Sequence, residues 1–233
     1  MKIHQEVLKA EKQIRKFIRK TPIEFSPYLS KLCNCNVYLK LESEQLTGSF
    51  KIRGAFNKLL SCKSELNNGF ITASTGNHGK AVAYVSKMLN LKGTVYVPKK
   101  VSKTKLEAIK FYGINIKKYD GTSGETEIHA RKVAEKQEIP FISPYNDIDI
   151  VAGQGTVGYE IWEQLQDINA VFVCIGGGGL ISGIAGYLKH KNKSLKVLGC
   201  EPRNSCAMSV SIKAGKVIEV EHKPTLSDGS AGG

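Results

Sequence analysis

Phe70-Ile71-Thr72-Ala73-Ser74-Thr75-Gly76-Asn77-His78-Gly79 changes character halfway along. Its first four residues read as a short apolar strand, and apolar residues recur at helical spacing over 79–89. Between them lies a turn of small and polar residues. Such a turn points free backbone N–H groups and the positive end of the next helix at an anion, and a carboxylate suits it. Asn77 adds a neutral donor and acceptor. Ser and Asn are also common caps, so alone the stretch reads equally as a capped turn, and His78 alone reads as structural.

The same alternation continues outward. Residues 93–97 form a strand closed by Pro98, 103–112 a helix, 114–119 a strand, 121–124 a turn and 125–137 a helix. Next come the apolar 140–143, a helix around 158–165, a strand at 171–175, a helix at 180–189, a strand at 195–200 and a helix at 205–214. Upstream, 3–20 carry a helical pattern ended by Thr21-Pro22, 36–41 alternate as a strand, and 53–62 form a helix. Repeated strand–helix units predict an α/β fold with parallel sheets covered by helices. No repeat or low-complexity linker marks a domain boundary.

Composition narrows the function classes. The chain has 233 residues, 41% apolar and 24% charged, with a formal charge of +13. That charge raises nucleic acid as a partner, but only five of the 34 basic residues are arginine, and they do not cluster. The lysine-rich stretch 99–118 reads as a solvated face, so no nucleic-acid partner is expected. The six cysteines lack metal-ligand spacing; Cys174 and Cys200 lie in apolar runs and are expected to be small core residues. Neither a disulfide framework nor an apolar leader is visible, which implies a reducing, cytoplasmic setting. Residues 170–188 are uncharged, yet four glycines interrupt them, which argues for strand, turn and helix and against a membrane span.

Two further stretches carry chemistry. Lys51 lies in Gly48-Ser49-Phe50-Lys51-Ile52-Arg53-Gly54-Ala55, where small neighbours allow backbone and ligand to approach closely. A lysine held there loses water, gains neutral form and can act as nucleophile or base, although the octapeptide also fits a surface lysine at a helix start. Gly176, Gly177, Gly178 and Gly179 stand between an apolar strand and an apolar helix, a setting that favours a backbone cradle for phosphate over a linker. Gly153, Gly155 and Gly158 match a dinucleotide fingerprint formally. They follow no buried strand and no acid stands some 20 residues on, so that reading is rejected.

A reactive lysine, an anion-binding turn and a phosphate cradle together point to pyridoxal 5'-phosphate. With Ala152-Gly153-Gln154-Gly155-Thr156, these stretches occur in the order and spacing of a known group. The sequence resembles the fold-type II pyridoxal-phosphate enzymes of the threonine/serine dehydratase and serine racemase group, from Thr21 onward. The resemblance implies that Lys51 carries the cofactor and later takes the substrate α-proton. Phe50 would pack on the pyridine ring, Asn77 would bond its 3-hydroxyl, and the four glycines would hold its phosphate. Ser74, Thr75, Gly76, Asn77 and His78 would hold the substrate carboxylate, mostly through backbone N–H groups. It further implies a smaller domain at 67–146 and a discontinuous larger one at 1–66 and 147–233, incomplete at its C-terminus, with a homodimer for a full-length chain.

The expected activity is a lyase that converts L-threonine or L-serine, a small hydroxy amino acid, to a 2-oxo acid and ammonia. The alternatives are a racemase on the same scaffold and an inactive fragment. Three departures bear on these. Family members continue past this point and supply a hydroxyl residue to the pyridine nitrogen. The metal-bearing relatives carry an acid six residues after Glu201, where this chain has Ala207, so no metal is expected. Racemases have a serine before Gly-Asn-His; here it is Thr75, whose hydroxyl keeps a second acid/base role open.

Overall fold

Four consecutive buried residues, Phe70 to Ala73, make the first strand of a three-stranded parallel sheet and pair along one side of its central strand. The computed structural model describes residues 2–218, 220 and 223–230. In chain order its elements are α1 (Ile3–Ile14), β1 (Ile23–Phe25), α2 (Pro27–Cys33), β2 (Tyr38–Lys40), α3 (Lys51–Ser61), β3 (Phe70–Ala73), α4 (Asn77–Leu89) and β4 (Gly93–Pro98). There follow α5 (Lys103–Lys110), β5 (Asn115–Tyr119), α6 (Ser123–Lys136), α7 (Ile148–Gln164), β6 (Ala170–Cys174), α8 (Gly179–Lys191), β7 (Lys196–Cys200) and α9 (Ala207–Ala214).

The sheet order is β3-β4-β5, each pair parallel, with α4, α5 and α6 as its helices. The apolar 140–143 forms no strand of its own and joins β3 as an isolated parallel bridge from Ile71 to Phe141. A second parallel pair, β6 with β7, and an antiparallel pair, β1 with β2, stand apart from it. One apolar cluster joins the three-stranded sheet to α1, α3, α4 and α7, with Ile14, Ile52, Phe56 and Leu59 against Phe70, Val82, Ile142 and Ile150, while Val173 of β6 packs in another with Val7, Val157 and Leu188. The expected α/β alternation is therefore present. The 3–20 helix is shorter than its apolar pattern, giving way to a 3-10 turn after Ile14.

Helix α7 corrects one expectation and explains another. It starts at Ile148, ten residues before the position read from the sequence, because Asp147 caps it with its own side chain. Its glycines are therefore helical and serve packing. A Cβ on Gly153 would stand 2.6 Å from Gly54 Cα of α3, and one on Gly155 would stand 3.0 Å from the Gly183 carbonyl of α8. Glycine lets three helix backbones approach where any side chain would hold them apart.

Cys174 and Cys200 are a second correction: both are exposed rather than core. On the β6–β7 pair, Val173 is buried on one face while Phe172 is 70% exposed on the other. An apolar run predicts burial on both faces of a strand, but here only one face is covered. No helix among the described residues is long and apolar enough to cross a membrane.

Candidate active site

Lys51, Asn77 and Gly179 are each the first residue of a helix, α3, α4 and α8. The residues before them, Phe50, Gly76 and Gly178, give no side-chain cap. By contrast Ser26, Ser102, Thr122 and Asp147 cap their own helices. Glu201 caps α9 from a distance, accepting from Met208 N, Ser209 N and the Ser209 hydroxyl. The stretches singled out in the sequence thus lead into helices whose first amides have no cap from the preceding side chain, which leaves them available to an anion.

Lys51 as a residue is half-buried, but its amine lies deep. Nζ donates to the Pro144 carbonyl at 2.9 Å and lies 5.4 Å from the centre of the Phe50 ring. Burial pushes the amine down to about 8, against a smaller opposing pull from the Glu127 carboxylate. Ser49, two residues before it, has a buried hydroxyl without a partner among the described residues.

His78 is settled by its neighbours. Thr72 donates its hydroxyl to the Ile142 carbonyl at 2.7 Å, so its oxygen accepts from His78 Nε2 at 3.1 Å. That places the ring proton on Nε2 and leaves Nδ1 buried with no hydrogen-bond partner among the described residues. Burial, then the Lys51 charge, hold the imidazole down at about 3, so it stays neutral. A carboxylate at this turn would meet backbone N–H groups and no histidine cation.

The glycine loop lies under an aromatic ring. A Cβ on Gly177 would clash with the Tyr145 ring, and one on Gly179 would stand 2.9 Å from the Tyr145 carbonyl. Gly178 has φ +83, a left-handed conformation that favours glycine. The Ser230 carbonyl lies 3.6 Å from where a Gly176 Cβ would be. Tyr145 OH donates to the Glu127 carboxylate at 3.4 Å, and Arg131 pairs with the same carboxylate at 2.7 Å.

Pro144 and Tyr145 therefore bring Lys51 and the glycine loop together, and neither was marked in the sequence. Nothing local flags them, since the contacts span 93 residues in one case and 32 in the other. Thr75 lines the edge of a cavity of about 650 Å³ over the ends of β4 and β5, together with Lys99, Lys100, Asp120 and Thr122. Ser74 accepts from Gly76 N at 3.2 Å and so shapes the turn.

A family model described as pyridoxal-phosphate dependent enzyme matches residues 14–233. The biosynthetic L-threonine dehydratase of Halalkalibacterium halodurans is 40% identical in a match that covers 97% of this chain and 56% of that protein. The processed form of threonine deaminase isoform 2 from Solanum lycopersicum superposes with a TM-score of 0.91 at 34% identity, covering 99% of this chain and 68% of that one. Maize serine racemase gives a TM-score of 0.91 at 32% identity, covering 98% and 71%. The chain spans 56% of the curated dehydratase it matches.

Proposed function

The chain belongs to the pyridoxal-phosphate dependent enzymes, and from that premise we propose that it is built to remove water and then ammonia from L-threonine or L-serine, leaving a 2-oxo acid. The observation that carries this is the Lys51 amine, desolvated at a helix start and tied through Pro144 and Tyr145 to the glycine loop. The residues present fit the cofactor. A partly neutral amine suits its aldehyde, the loop from Gly176 to Gly179 offers backbone donors to its phosphate, and the bare Ser49 hydroxyl leaves a polar group to be satisfied.

When bound, the cofactor supplies an electron sink for the charge left as the substrate α-proton departs. The chain does the rest. Lys51 holds the cofactor and takes that proton. Backbone N–H groups of Ser74 to His78 orient the substrate carboxylate, Asn77 bonds the cofactor 3-hydroxyl, and Phe50 flanks its ring. Neutral His78, locked by Thr72, fixes the first turn of α4 without adding charge. Borohydride reduction with pyridoxal phosphate present, followed by peptide mapping, tests the assignment. An adduct on any lysine other than Lys51 rejects it.

The cradle has its own test. Gly177→Asp adds bulk where the Tyr145 ring lies and negative charge where phosphate would bind, so cofactor affinity should fall by 100-fold or more, on the order of 3 kcal/mol. Fluorescence titration measures it. Gly177→Ala separates the two causes, because it keeps the clash and omits the charge.

A racemase reading is favoured by one observation, the Thr75 hydroxyl in the carboxylate turn. Racemisation needs a second acid/base opposite Lys51. The Thr75 methyl restricts χ1 where serine would rotate freely. Thr75→Ser is therefore expected to raise racemisation more than elimination, read by chiral chromatography beside 2-oxo acid release. D-serine accumulating faster than pyruvate with Thr75 intact would replace the lyase reading.

The same proposal includes residues 67–146 as the smaller domain, supported by the sheet β3-β4-β5 with its own helices, against a larger one from 1–66 and 147–233. It also includes a homodimer of a longer chain and a cytoplasmic setting. Exposed Phe25, Tyr28, Leu32 and Tyr38 on β1, α2 and β2 give apolar area that a second copy could cover.

A further inference from the structure

Strands β6 and β7 pair in parallel with Cys174 directly opposite Cys200. In-register partners on neighbouring strands have their side chains on the same face. That face is the open one, shared with Phe172 and Leu198, which are also register partners, and both thiols are free and exposed. Ile175 N donates to the Cys200 carbonyl at 2.8 Å, which pins the register at this pair.

Neighbouring strands lie about 4.8 Å apart, inside the usual Cα separation of a disulfide, about 4.4–6.8 Å. A relaxed disulfide brings its Cβ atoms to about 3.8 Å, so closure must draw the two strand ends together, and a strained bond of that kind is easily reduced. Other cysteines are placed less well. Cys62 is buried, Cys206 is half-buried, and Cys33 and Cys35 are exposed but lie two apart on one chain segment at the end of α2.

We propose that Cys174 and Cys200 form a redox-closable dithiol, oxidised by a small-molecule disulfide to a reversible cross-strand bond two residues ahead of the glycine loop. One protein thiolate attacks the small disulfide, forming a mixed disulfide and releasing one thiol. The second protein thiolate then attacks the protein sulfur of that mixed disulfide, forming the Cys174–Cys200 bond and releasing the second thiol. Two electrons pass to the small disulfide, and the two protons lost by the cysteines end on the released thiols.

The test uses the 233-residue chain carrying Cys33→Ser and Cys35→Ser, which removes the other exposed pair at positions open to solvent. Glutathione disulfide should lower the intact mass by about 2 Da, the two hydrogens lost on closure, and give one peptide linking Cys174 to Cys200; dithiothreitol should restore both. Adding Cys200→Ser should stop the reaction at a single glutathionyl group on Cys174, a trapped first step. The proposal is overturned if both cysteines carry separate glutathionyl groups, if either links to Cys206, or if the mass does not change.

Discussion

Lys51→Ala is expected to abolish covalent capture of pyridoxal phosphate and to cut elimination by about 10³-fold or more, since the variant loses both anchor and base. The amine has an unusual setting: burial holds it at about 8 rather than the ordinary 10.5. At pH 7 about a tenth of it is neutral, against less than about one part in a thousand for a solvated lysine. Capture by the native chain should therefore rise about fivefold from pH 7 to 8 and level off above that, where a surface lysine would keep climbing toward 10.5. Stopped-flow absorption reads the profile directly. Lys51→Arg is the control, because it keeps positive charge at the helix start but has no neutral amine near pH 8. If the arginine variant still captures cofactor, or the native profile rises without a plateau, another lysine carries the chemistry.

How much of this was legible follows from where each contact is made. Strand β3 and the turn after it could be read because the apolar run, the small residues and the helical spacing are contiguous. Lys51 and the four glycines could be marked because their chemistry shows in their immediate neighbours. Tyr145 could not, since an aromatic residue in a loop signals nothing until the fold places it over Gly177. β1 and α2 were also missed, although Ser26-Pro27 is a sound helix start, because only three residues on each side form a strand. The start of α7 was lost for a different reason. Its glycines lower helix propensity, and only the tight crossings with α3 and α8 show why they are there. The exposure of Cys174 and Cys200 was hidden because a run of apolar residues does not say whether both faces of a strand are covered.

Arg53 sits in the same quoted octapeptide as Lys51, yet its partners lie far along the chain, and they support the second large effect. Its guanidinium is fully buried and bonds Glu160 at 2.8 and 2.9 Å and Glu42 at 2.8 Å through two nitrogens. Glu160 also accepts from Arg15 at 2.6 Å, Lys40 at 2.7 Å and Thr21 N at 3.2 Å, so the 3-10 turn after α1, β2 and α3 all close on one carboxylate of α7. Burial alone would push that carboxyl up; the hydrogen bonds and charges of Arg53 and Lys40 outweigh it and hold it at about 2. The folded value lies below the ordinary 4.5, so this stabilisation is present above about pH 4.5 and is lost as pH falls toward 2. Its full size is on the order of 3 kcal/mol. Glu160→Ala leaves a buried guanidinium half-paired and is expected to cost about 3–5 kcal/mol, lowering the melting temperature by about 10 °C. Glu160→Gln should also destabilise, since it keeps hydrogen bonding but removes the charge. Both variants should flatten the loss of stability between pH 5 and 3 relative to the native chain, because the titrating group is gone. Urea unfolding at pH 7, 5 and 3 measures all three. Native-like stability in Glu160→Ala would mean that the cluster contributes no net stability, and that α3, with Lys51 at its start, is held by the packing of Ile52, Phe56 and Leu59 alone.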